Sequence, residues 1–209
     1  MVFSKSIIAF VLGVVLFAIT FAYAGDTPED VNKRVGSGNP VAGKDKAAQC
    51  KGCHGQDGNN DVTSIPKLSG QYADYIKRQI YNYQEGTRRD PNMTKISESL
   101  NNRQDLADIA AYFASQNQMT GTPAKNLAGE KLYLNKGCLN CHGEIGKGKP
   151  SYNAIFPVIG GQHKEYIVKQ MNDFKTGARS TDISEIMGML ALQMTDTEIG
   201  AVADYLSGL

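Results

Sequence analysis

Two stretches of the 209-residue chain place a pair of thiols and an imidazole at one fixed spacing: Cys50-Lys51-Gly52-Cys53-His54 and Cys138-Leu139-Asn140-Cys141-His142. Two cysteines separated by two residues, with histidine directly after, are the sequence sign of c-type haem attachment. The thiols add to the haem vinyl groups and fix the plate against the short loop between them. The adjacent imidazole then lies beneath the ring, where it reaches the iron as the proximal ligand. Other uses of four cysteines fit less well. The pairs stand 85 positions apart, Cys53 to Cys138, against the roughly 15–20 residues of compact zinc ribbons. A thioredoxin-like motif needs a strand–helix–strand setting that is missing here, and structural disulfides leave the two histidines unexplained.

A haem iron that only carries electrons needs a ligand on its second face, and His with Met is the arrangement that raises the potential in cytochromes c. Seven methionines are available, Met1 among them. Met93 lies seven residues before Leu100, just ahead of a predicted helix, and Met187 lies seven residues before Met194 in the matching place. Both are expected in loops, 39 and 45 residues after their histidines. Met93 has no close rival, because Met119 falls in a linker. Met189 stands two residues from Met187, so the second choice rests on register. Met171, Met189 and Met194 read as apolar packing, the usual use of methionine. His163 has Tyr72 as its counterpart, so a surface or supporting role suits it better than ligation. Arg89 and Arg179 either pair with haem propionates or are simply solvated. The carbonyls of Pro66 and Pro157 are candidates to hold the proximal imidazoles from behind.

These residues sit in a duplicated plan. Ala42-Gly43-Lys44 returns as Ala128-Gly129-Glu130 upstream of each cysteine pair. Pro66-Lys67-Leu68-Ser69-Gly70-Gln71 returns as Pro157-Val158-Ile159-Gly160-Gly161-Gln162, followed by Tyr75-Ile76 with Gln79 and by Tyr166-Ile167 with Gln170. Gly86 with Arg89 corresponds to Gly177 with Arg179, displaced by one residue. Apolar spacings of three and four predict helices over 42–51, 72–84 and 103–115, and again over 128–136, 164–175 and 196–207. Asn102 is a suitable N-cap, and Thr195 with Glu198 forms a capping box. No alternating strand pattern appears, so the fold class is all-α, in two tandem domains over 41–117 and 127–209. Residues 118–126 read as a linker and 25–40, with their glycines and prolines, as a flexible leader.

The first 24 residues read as a cleavable signal peptide: Lys5, an apolar run from Ile7, and Ala22-Tyr23-Ala24 ahead of Gly25. Without Lys5 the remaining chain has 21 basic and 21 acidic side chains. That even balance gives no basic patch for nucleic acid and no charged tail.

With these residues in place the chain resembles the di-haem cytochrome c4 family over about residues 41–209. The resemblance rests on the signal peptide, the two haem motifs, the repeated Pro-x-[Leu/Ile]-x-Gly-Gln segment, Met93, Met187 and the helix Asp105–Phe113. It implies two class I cytochrome c domains related by a pseudo-twofold axis, with the propionates meeting near their interface. It implies two covalent haems c, Cys50, Cys53, Cys138 and Cys141 as attachment sites, His54 and His142 as proximal and Met93 and Met187 as distal ligands. It further implies a periplasmic electron carrier, soluble or membrane-associated. Its donor would be a membrane cytochrome complex, and its acceptor a terminal oxidase or reductase. A small di-haem peroxidase or oxidoreductase subunit, or a haem-based sensor, is the alternative and requires an open or labile distal position.

Overall fold

The computed structural model describes residues 27–123, 126–149, 156–180 and 184–209; the predicted signal peptide lies outside them. Among the described residues the chain is helical, and its single β-type contact is an isolated bridge between Arg88 and Arg179. The first half carries α1 (Pro28–Val35), α2 (Pro40–Lys46), α3 (Ala48–His54), α4 (Ala73–Gln84), α5 (Pro91–Ser97) and α6 (Arg103–Ala114). The second carries α7 (Leu127–Asn135), α8 (Leu139–His142), α9 (Lys164–Thr176), α10 (Ser184–Leu192) and α11 (Asp196–Ser207). None of these helices is long and apolar enough to cross a membrane.

Each half is built on one close helix crossing. α2 packs on α6 and α7 on α11, and the repeated glycine makes the approach feasible. A Cβ on Gly43 would stand 1.9 Å from the Asp108 carbonyl oxygen, and one on Gly129 would stand 2.0 Å from that of Ala201. No side chain fits there. Around these crossings the apolar faces close: Leu106, Phe113 and Ala110 in the first half, Tyr133, Ile199 and Leu206 in the second, all nearly inaccessible to water. Full burial of a leucine or phenylalanine stabilises by about 1.5–3 kcal/mol, so a few such residues anchor each helix.

The caps read from sequence are present. Asn102 Oδ1 accepts from the N–H groups of Gln104 and Asp105, and Thr195 and Glu198 form the reciprocal box ahead of α11.

Three expectations are corrected. The stretch 27–40 is not a loose leader: α1 is started by a Thr27–Asp30 capping box with Pro28 in its first turn, and it packs on α6. Arg34, 2 % exposed, donates to the Ala114 carbonyl from α1. The helix predicted over 42–51 is interrupted at buried Ala47, with ψ 3°, and the cysteine-bearing turn forms the separate α3. Met93 and Met187 lie in short helices, α5 and α10, rather than loops. Asp90 caps α5 by accepting from the N–H groups of Asn92 and Met93, with Pro91 in the first turn.

A third apolar cluster joins the halves: Tyr72, Met119 and Val158. Met119, in the segment read as linker, is fully buried there, and its N–H donates to the Ser69 carbonyl at 3.1 Å.

Candidate functional site

None of the four cysteines is in a disulfide, and they are carried on α3 and at the start of and within α8. Burial pushes the thiols of Cys50 and Cys138 up from the ordinary cysteine value, outweighing the backbone contacts that favour the thiolate. In each motif the histidine closes its helix and a glycine with positive φ follows, Gly55 at 87° and Gly143 at 81°. That left-handed conformation suits glycine and sharply redirects the chain. The redirected chain returns to present a proline carbonyl to the imidazole. His54 Nδ1 lies 2.9 Å from the Pro66 oxygen and His142 Nδ1 2.9 Å from the Pro157 oxygen. A carbonyl can only accept, so Nδ1 carries the proton and Nε2 is left with its lone pair, the state an imidazole needs to bind a metal. Burial depresses both histidine pKa values, opposed in each case by the proline carbonyl. Both rings are therefore neutral at pH 7.

One cavity of about 710 Å³ runs through both halves of the molecule. All eight residues singled out from sequence, Cys50, Cys53, His54, Met93, Cys138, Cys141, His142 and Met187, line it. Met189 does not; it is 57 % exposed. Aliphatic side chains such as Ile80, Leu106 and Ile199 supply much of the wall. Phe156 adds an edge-on contact to His142, with ring centroids 6.3 Å apart, where the first half has Ile65.

At the middle of the cavity the halves meet in a charged and strongly hydrogen-bonded cluster. Arg88 donates to Gln79 Oε1 at 2.8 Å, to Gln170 Oε1 at 2.7 Å and to the Tyr166 hydroxyl at 2.6 Å. Arg179 donates to Gln170 at 2.9 Å, to Gln79 at 2.9 Å and to the Tyr75 hydroxyl at 2.7 Å. Each guanidinium thus binds both glutamines and the tyrosine of the opposite half. The arginine expected here alongside Arg179 was Arg89, and the structure replaces it with Arg88. Arg88 and Arg179 are 91 positions apart, the offset that also relates Gln79 to Gln170 and Tyr75 to Tyr166; Arg89 falls one residue out of register and stays at the surface side, its Nε towards the Gly86 carbonyl. Read strictly, that constant offset would have selected Arg88 from sequence.

These residues fit two haems. The cavity is lined mostly by apolar side chains, and each half contributes two thiols and a lone-pair imidazole to it. Its centre holds two buried cations without a carboxylate partner among the described residues, and Arg179 Nε has no hydrogen-bond acceptor. Buried charges ordinarily require an opposite charge, and haem propionates are anions of the right chemistry.

His163 stands apart from this chemistry. It precedes α9, and its Nε2 lies 3.0 Å from the Asn60 carbonyl oxygen of the other half. The contact joins the two domains, where the sequence had pointed to a surface or supporting role.

The family described as Cytochrome c matches this chain twice, over residues 41–117 and 127–209. Cytochrome c4 of Pseudomonas aeruginosa is 39 % identical over 183 residues, covering 83 % of this chain and 90 % of that protein. The crystal structure of reduced recombinant cytochrome c4 from Pseudomonas stutzeri superposes with a TM-score of 0.75 at 36 % identity, over 83 % of this chain and all of that one. A thiosulfate dehydrogenase electron acceptor from Stutzerimonas stutzeri is 30 % identical, over 83 % of this chain and 82 % of that protein.

Proposed function

The chain belongs to the cytochrome c4 family of di-haem c-type electron carriers, with two covalently bound haems, and on that premise we propose that it relays single electrons in the periplasm. The donor in this reading is a membrane cytochrome complex and the acceptor a terminal oxidase or reductase. The relative that accepts electrons from a thiosulfate dehydrogenase supports a second class of donor, an oxidoreductase acting on reduced sulfur.

Haem iron supplies the one-electron ferric–ferrous couple. Everything else is the work of the chain. Cys50 and Cys53 would hold the first haem and Cys138 and Cys141 the second, through thioether bonds to its vinyl groups. His54 and Met93 would hold the iron of the first haem, and His142 and Met187 that of the second. The observation that carries this reading is the paired arrangement in one cavity. Each half offers a neutral imidazole fixed through Nδ1 to a proline carbonyl, and one helix-borne methionine lining the same cavity. With an imidazole and a thioether available to each iron, no coordination position would be left for substrate, which favours a relay over a peroxidase or a sensor. The apolar wall keeps water from the site and so limits reorganisation when the charge changes. Arg88 and Arg179 would offset the propionate charge at the domain boundary.

The test is the visible and proton resonance spectrum of the loaded protein in both oxidation states. Two low-spin haems, each with the weak long-wavelength methionine-to-iron band and a shifted methionine methyl resonance, are expected. A high-spin haem, or a ferrous haem that takes up carbon monoxide readily, would overturn the relay in favour of an enzyme or sensor.

A further inference from the structure

The two domains exchange side-chain amides reciprocally. Gln71 is 4 % exposed and belongs to the first domain, yet its Nε2 donates to the Val158 carbonyl at 2.8 Å and its Oε1 accepts the Val158 N–H at 2.9 Å. Gln162, 5 % exposed, treats Lys67 in the same way, donating to its carbonyl at 3.0 Å and accepting its N–H at 2.9 Å. Each Oε1 also accepts the N–H of the residue next to its own, Tyr72 or His163. Only one orientation of each amide satisfies these bonds, since a flipped amide would set donor against donor.

The residues gripped in this way are significant. The N–H of Val158 belongs to the same peptide plane as the carbonyl of Pro157, which accepts the Nδ1–H of His142. The N–H of Lys67 shares its plane with the carbonyl of Pro66, which accepts the Nδ1–H of His54. A continuous chain therefore runs from His142 Nδ1–H through the Pro157 carbonyl and the Val158 N–H to Gln71 Oε1. Its counterpart runs from His54 to Gln162. Hydrogen bonds in series polarise one another. Withdrawing the peptide proton towards Oε1 makes the proline carbonyl a stronger acceptor, and a ligating imidazole whose Nδ1–H is held more strongly becomes a more basic ligand.

We propose that Gln71 and Gln162 are positioning residues that set the axial imidazole of the opposite domain, each acting through a single peptide plane. Gln71 thereby tunes the haem held by His142, and Gln162 the haem held by His54. A more basic imidazole favours the ferric state, so loss of the amide raises the potential of the haem in the other domain. The inference rests on the axial ligation proposed above.

The experiment is a redox titration of the loaded wild type, Gln71→Leu and Gln162→Leu. The two haems are followed separately through the methyl resonances of Met93 and Met187, assigned with Met187→His. Gln71→Leu is expected to shift the reduction equilibrium of the His142 haem by about threefold towards ferrous, roughly 30 mV at 59 mV per tenfold, and to move the His54 haem less. Gln162→Leu should do the reverse. Gln71→Glu keeps and strengthens the oxygen that accepts from Val158, so the His142 haem should not rise in that variant; this arm stands even if the leucine variants fold poorly. Equal shifts at both haems, a larger shift in the variant's own domain, no shift, or a rise with Gln71→Glu would each overturn the proposal. Loss of the low-spin His/Met signature in the wild type would instead reject the ligation itself, so the two failures are distinguishable.

Discussion

Arg88 and Arg179 face each other as an antiparallel backbone bridge across the domain boundary, and each sends its guanidinium to the tyrosine of the opposite half. Two cations are thereby held close together in a buried setting, an arrangement that stands only where several acceptors and a negative charge surround it. Removing one cation should make reduction harder, because an added electron is then less well compensated. Arg88→Leu is expected to lower both potentials, by about tenfold in the reduction equilibrium or ~59 mV, with Arg88→Lys intermediate. Spectroelectrochemical titration checks this; unchanged potentials would mean that the propionates find their partners elsewhere.

Exchanging a thioether for an imidazole separates Met187 from its neighbour. Met187→His should retain a low-spin haem, lose one methionine-to-iron band and drop one potential by well over tenfold in equilibrium, since methionine ligation is what raises it. Met189→Leu, on an exposed position, should leave spectra and potentials unchanged. The reverse outcome would move the ligand by two residues.

The glycines at the helix crossings allow a stability test. Gly43→Ala and Gly129→Ala must each drive a methyl group against backbone, not against a yielding side chain. Each is expected to destabilise its own domain by about 1–3 kcal/mol or more, read as a lowered midpoint in denaturant at unchanged haem content. Gly52→Ala, where the added carbon would meet nothing within 4 Å, serves as the control and should be close to neutral.

Acid should weaken the tie between α2 and α6. Lys46, the Asn39 N–H and the Gln104 amide hold the Asp108 carboxylate ionised, with its pKa lowered to about 2. A carboxyl whose pKa is depressed by folding contributes stability that is fully present above its ordinary value near 4 and is lost as pH falls through its folded value. Thermal stability should therefore decline between about pH 4 and 2, and Asp108→Asn should flatten that decline while lowering stability at neutral pH. A variant melting curve as steep in pH as the wild type's would exclude Asp108 as a source.

The chemistry of the site was legible because it is local. Two thiols and an imidazole within five residues point to a haem by themselves, and the internal repeat then favoured Met187, which lines the cavity, over Met189, which does not. The helices α4, α6, α9 and α11 were equally visible, being long enough for apolar periodicity to show. What escaped notice was either short or non-local. At seven residues, α5 completes too few turns to reveal a face, and its start depends on an Asp90 cap and on Pro91. α1 is polar enough to pass for a leader, and it is fixed by Arg34 reaching carbonyls 80 and 82 positions away. The amides of Gln71 and Gln162 spend their hydrogen bonds on backbone in the other domain, a choice that leaves no trace in hydropathy. The arginine error was one of register: Arg88 and Arg89 are adjacent and chemically identical, and only a strictly constant offset separates them.

The segment between the domains has a consequence for speed. Residues 117–121 are bound into both sides: Ser69 to the Asn117 carbonyl, Gln118 to the Lys147 carbonyl, Lys67 to the Thr120 carbonyl and Lys147 to the Met119 carbonyl, with the Gly121 N–H on the Leu209 carbonyl. A tether secured this way is no hinge. The gap between two haems held in this cavity would then stay constant, and a docking partner would change how fast they exchange through energy levels or reorganisation rather than through distance.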